Sequence, residues 1–139
     1  MKIHSTVGLI TNSSTELFVI PKDEVKCTVR ELNNILSTIW ENYKKIKLLL
    51  DRDNFLKRLR YYGLDENTKI EDLLAINLET EGYEESYTTT NSYGKLIHRI
   101  YKKWEPGDIT IEETADDVLP YELYDLIIEL FKAKSYHLG

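Results

Sequence analysis

Hydrophobic positions recur along this chain with two different periods. Residues 2–10 carry Ile3, Val7, Leu9 and Ile10, and Glu16 to Ile20 include a continuous apolar run; both stretches read as strands, the second short and buried. Between them lies a polar block, Thr11-Asn12-Ser13-Ser14-Thr15, of residue types that bond nearby backbone and let a chain reverse. An N-terminal hairpin is the expected result, and Pro21 closes it because proline has no N–H to give a ladder. From Val29 the period becomes helical: Val29, Leu32, Ile35, Leu36, Ile39, Trp40 and Tyr43 share one face, opened by the capping box Thr28-Val-Arg-Glu31. Lys44 to Leu50 either continues that helix or breaks it.

Asp51 or Asp53 caps a further helix through Phe55, Leu56, Leu59 and Tyr62, with Gly63 as a left-handed stop. A second capping box, Thr68-Lys-Ile-Glu71, opens a short helix over Ile70, Leu73 and Leu74. Alternation from Ile76 to Glu81 predicts a half-buried strand, and residues 82–91 read as a loop or an irregular hairpin arm. Ser92 then caps an expected helix whose stripe is Tyr93, Leu96, Ile97, Ile100, Tyr101 and Trp104. Pro106-Gly107 makes a turn, Asp108 to Glu112 a strand with Ile109 and Ile111 inward, and Pro120 starts a last helix. That helix buries Tyr121, Tyr124, Ile127, Ile128 and Phe131, and the tail from Lys132 is expected to fray. The sum is an α+β fold: a small, mainly antiparallel sheet, made of the N-terminal hairpin plus strands near 76–81 and 108–113, with four to five helices on one face.

Composition narrows the class. At 139 residues without linker, repeat or low-complexity segment, residues 1–139 read as one globular domain. The formal charge of -6 argues against a nucleic-acid coat, which needs to neutralise phosphates. Cys27 is the single cysteine, so no disulfide forms within the chain, and no apolar run approaches a membrane span. A cytoplasmic protein, or part of a particle assembled in a cytoplasm, is expected.

Chemistry is sparse. His4, His98 and His137 lack the spacing of metal ligands, so neither metal nor cofactor is expected. Cys27 precedes a helix N-terminus, where the dipole favours a thiolate, but a small buried residue at a loop–helix joint is the favoured reading. Glu79 to Glu85 and Glu112 to Asp117 concentrate carboxylates without a phosphate loop or calcium-binding spacing, and read as solvated acidic faces. Lys44, Lys45, Lys47, Arg52, Lys57, Arg58 and Arg60 make the middle of the chain basic, with Tyr61 and Tyr62 beside them. Nucleic-acid contact there is disfavoured by the acidic whole, whereas a basic middle and acidic ends suit head-to-tail docking of copies. Ser5, Ser13 and Ser14 would need a base and an oxyanion hole to act as nucleophiles, and spacing locates neither.

Ile10-Thr11-Asn12-Ser13-Ser14-Thr15 followed by Leu17-Phe18-Val19-Ile20 resembles an N-terminal signature of small uncharacterised proteins of tailed bacteriophages and some bacteria. The chain departs from it at Glu16, where that family continues its serine run, and the resemblance ends near residue 20. It implies a phage-type origin and no reaction. The expectation that follows is a non-enzymatic protein, a virion component (capsid, head or connector) or an assembly factor, working through contacts with other phage structural proteins or with itself. Its candidate contact residues are Asn12, Ser13 and Ser14 of the polar block and the tyrosines Tyr61, Tyr62, Tyr83, Tyr87 and Tyr93. The alternative is an acidic binder of a host protein, a DNA mimic using the two acidic segments. No membrane and no small-molecule substrate are implied, and the polar block is either internally satisfied or a docking element.

Overall fold

The computed structural model describes residues 15–114 and 118–138. Strands β1 (Thr15–Ile20), β2 (Leu74–Leu78), β5 (Ile109–Glu113) and β6 (Lys134–Leu138) form one sheet in the order β2-β5-β1-β6, antiparallel throughout. Strands β3 (Tyr83–Thr90) and β4 (Leu96–Trp104) form a separate two-stranded ribbon. Among the described residues there are four helices: α1 (Val29–Leu50), α2 (Arg52–Tyr61), α3 (Ile70–Leu73) and α4 (Tyr121–Phe131). The fold is α+β, as its pattern predicts.

The continuous run Leu17-Phe18-Val19-Ile20 is buried because both faces of β1 are covered. Phe18 and Ile20, with Ile109, Ile111 and Leu74, pack against the helices through Leu32, Leu36, Trp40, Phe55, Leu59, Leu123 and Ile127. Leu17 and Val19 face the other way, onto Tyr83, Trp104 and Tyr136. Both edges of β1 are taken, by β5 and by β6. The hairpin partner expected at residues 2–10 lies outside the described residues, as do Asn12, Ser13 and Ser14.

The caps explain where the helices begin and end. Thr28 Oγ1 accepts from the Glu31 N–H at 3.1 Å and Glu31 Oε1 accepts from the Thr28 N–H at 3.3 Å, the reciprocal box expected. The undecided stretch Lys44 to Leu50 continues α1. After α2, Leu64 N donates to Leu59 O and Gly63 N to Arg60 O, with Gly63 at φ +74; this is a Schellman stop, open to glycine at a left-handed position. The box expected at Thr68 and Glu71 is not formed. The Thr68 hydroxyl accepts from Asp65 N instead, and Asp72 caps the Lys69 N–H, so α3 starts one residue late. The strand expected at 76–81 runs from Leu74 to Leu78.

Two expectations about elements are overturned outright. Residues 96–104 form a strand, not a helix. Asn91 Oδ1 accepts from the N–H groups of Tyr93 and Lys95, and Gly94 sits at φ +78, so the chain reverses where a helix was expected to start. Pairing also slips by one residue: Glu85 faces Lys102 and Ser86 faces Ile100, leaving Tyr101 as a bulge. The tail does not fray either. Lys132, left-handed at φ 51, turns the chain out of α4, and residues 134–138 pair with β1, where Tyr136 packs on Leu17 and Val19.

Candidate interaction surfaces

The candidate tyrosines fall into different environments. Tyr83 is a core residue: it is buried, stacks on Trp104 at 4.6 Å and 20°, and closes the second apolar cluster. It anchors the ribbon and offers no surface. Tyr87 lies on β3 opposite Arg99. Tyr93 is at the ribbon's turn and is 87% exposed, with Leu96 at 73% close behind it. From this base at Tyr83 and Trp104, the ribbon runs on with Glu84, Ser86, Thr88 and Thr90 exposed. Eight strand residues span about 27 Å at roughly 3.4 Å each. Among the described residues the ribbon is an arm anchored by Tyr83 and Trp104 at one end and carrying an aromatic and an aliphatic side chain at the other. An isolated two-stranded ribbon is marginal in water, so such an arm gains order from whatever it lies against.

Tyr61 and Tyr62 are brought together at the C-terminal end of α2, ring edge to ring face at 5.1 Å and 87°. Phe55 and Leu59 turn inward, which leaves Lys57, Arg58, Arg60 and Tyr61 exposed around an open hollow also bordered by Asn54 and Tyr62. Cations in the last turn of α2 complement the helix dipole, so part of this basic character serves stability. Tyr61, at 83% exposure, has no such duty.

Next to this patch Tyr43 joins three helices. Its ring meets Phe55 of α2 edge-on at 6.0 Å, and its hydroxyl donates to Glu122 Oε2 of α4 at 3.1 Å. Burial, then the charge and hydrogen bond of Glu122, push the Tyr43 hydroxyl up to about 12 from an ordinary 10.0. The Glu122 carboxyl is held below its usual range, first by its own backbone amide and then, against some burial, by Tyr43, Lys47 and Arg58. Between pH 10 and about 12 the unfolded chain releases the tyrosine proton while the folded chain keeps it, so stability falls as pH rises through that window. Urea midpoints should therefore drop more steeply over this range for the wild type than for Tyr43→Phe; parallel slopes would show that Tyr43 does not carry the effect.

The other candidates resolve into structure. Cys27 is half-buried, and burial, followed by the charge of Glu31, raises its thiol, the opposite of the activated thiolate that a helix N-terminus would favour. The acidic segments are not solvated faces throughout. Glu79, Glu112 and Glu113 are buried; Glu79 Oε2 accepts from Thr110 Oγ1 at 2.9 Å, and Glu113 accepts two backbone N–H groups. Asp108, also buried and unmarked by the pattern, accepts from Lys22 N and Glu105 N, both at 2.8 Å, tying two loops together. A buried carboxylate that ends in backbone N–H groups leaves no trace in sequence beyond its charge. Of the basic residues, Lys44 is buried. No group of three or more His, Cys, Asp or Glu among the described residues is placed to hold a metal, and no helix among them is long and apolar enough to cross a membrane.

No family model matches the chain, and no curated protein or solved structure matches it.

Proposed function

We propose that this chain is a non-enzymatic, phage-type binding protein, a virion component or assembly factor found in the particle or the host cytoplasm, and that it docks through the β3–β4 ribbon. The observation that carries the reading is the arm itself: Tyr83 and Trp104 root it in the second apolar cluster, and Tyr93 and Leu96 stand exposed at its far end. Exposed tyrosines make effective anchors, since a large rigid ring is buried on binding at low entropic cost. The resemblance of residues 10–20 to phage proteins supports the same reading. The host-binder alternative draws on acidic faces, and the burial of Glu79, Glu112 and Glu113 leaves it less surface to use.

Mass spectrometry of particles purified from the phage encoding this chain should find the protein, and Tyr93→Ala with Leu96→Ala should cut its incorporation several-fold. Both sites are exposed, so the unfolding free energy of the double variant should move by less than about 0.5 kcal/mol per site. Absence from the particles, together with an absence of complexes with any phage structural protein, would sink the reading.

A further inference from the structure

We infer that the outer face of the helix layer is a self-complementary contact between two copies of this chain, the basic face of α2 on one copy lying against the acidic face of α4 on the other. The inference is independent of the ribbon. On α4, Glu122, Asp125 and Glu129 follow at i, i+3 and i+7 and form one exposed stripe, with Tyr121 69% exposed beside it and no cation in the helix. On α2, Lys57, Arg58 and Arg60 are exposed beside Tyr61 and make no ion pair among the described residues. The two patches meet where Tyr43 bonds Glu122 of α4, since the charge of Arg58 on α2 acts on that same carboxylate.

Adjoining patches of opposite sign on one face have a simple geometric consequence. A half-turn about an axis through the seam sets each patch of one copy on the opposite patch of the other, so every favourable contact is made twice. Each patch also carries an exposed tyrosine, Tyr61 or Tyr121, the residue type that with arginine anchors interfaces. Other occupants fit less of this surface. A nucleic-acid strand on the cations of α2 would use only the basic half of this surface and be repelled by Glu122, Asp125 and Glu129 of the other half. An acidic protein segment would use the basic half and leave the acidic half idle. A second copy uses both. Two short helices make a footprint below that of a standard stable interface, so the dimer is expected to be weak and concentration-dependent.

Sedimentation velocity of the full chain tests this. At about 50 mM salt the wild type should dimerise with rising concentration, and at about 500 mM the association should weaken by about tenfold or more, since exposed charges are then screened. Lys57→Glu with Arg58→Glu, and separately Asp125→Lys with Glu129→Lys, should each give a folded monomer by circular dichroism. Mixed in equal amounts the two variants should form a heterodimer, because both contacts are then attractive again. The proposal is overturned by a wild type that stays monomeric at every concentration and salt, by folded variants that do not recombine, or by dimers that the swaps leave unchanged. Binding of a fluorescent oligonucleotide that is lost with Lys57 and Arg58, in a chain that stays monomeric, would assign the surface to a polyanion and overturn it as well.

Discussion

Replacing Glu113 with alanine is expected to destabilise the fold by about 3–5 kcal/mol, since one buried and one part-buried N–H group lose their acceptor at roughly 1–3 kcal/mol each and a cavity is added. Glu113 is fully buried at the end of β5. Its Oε1 accepts from Glu16 N of β1 at 2.9 Å, and its Oε2 from Leu119 N, just before α4, at 3.0 Å. One side chain therefore pins two strands and the approach to a helix. Glu113→Leu separates bonding from packing: it fills the space and offers no acceptor, so it should cost nearly as much as alanine. Glu113→Gln keeps one acceptor oxygen and turns the other into a donor facing a donor, and should fall between. Urea unfolding with unchanged slope measures all three, and hydrogen exchange at Leu119 N should speed in each. A leucine variant as stable as the wild type would remove the hydrogen bonds from the account.

The same residue shows why part of this protein is legible in its sequence and part is not. Periodicity reports a side chain's direction, and it found α1 and β5 because direction decides those, while an unbroken apolar run marked β1 and glycine's left-handed freedom marked the stop at Gly63. Periodicity does not report what lies in that direction. Glu112 and Glu113 are neighbours on β5 and so point to opposite faces; both are buried because the sheet is covered on each face, a tertiary fact that no local pattern contains. β4 failed for a different reason. Tyr93, Leu96, Ile97, Ile100, Tyr101 and Trp104 satisfy the helical period, yet Ile and the aromatics also favour strands, and a bulge at Tyr101 breaks the alternation that would have marked one. The turn built by Asn91 and Gly94 held the deciding signal, since it offers the chain a reversal just where the helix was to begin. β6 is held by pairing with a strand more than a hundred residues away, and short tails that pair so distantly look frayed when read alone. Of the candidate contact residues, Tyr61 and Tyr62 were found together, Tyr93 stands at a tip and Tyr83 went to the core.

Trp40→Ala should cost about 3–5 kcal/mol, the range for emptying a buried large aromatic. The ring has no exposed surface and stacks on Tyr43 at 5.9 Å, and its Nε1 donates to Thr68 O at 2.8 Å. Lys44, one turn on and also buried, shares that duty. Its Nζ lies 5.6 Å from the Trp40 ring and donates to Thr68 O and Glu66 O, both at 2.9 Å, with Glu41 Oε2 at 2.8 Å. Two donors on α1 thus converge on one carbonyl and hold the loop that leads into α3. The consequence is a coupling that single variants hide. Trp40→Phe removes one donor while Lys44 still satisfies Thr68 O; Lys44→Met leaves the indole to do so. Only the double variant orphans the carbonyl in a buried place, so its destabilisation should exceed the sum of the singles by about 0.5–2 kcal/mol. Additivity within about 0.3 kcal/mol in urea unfolding would mean that the loop carbonyl finds another partner, and that Trp40 serves this fold by its ring alone.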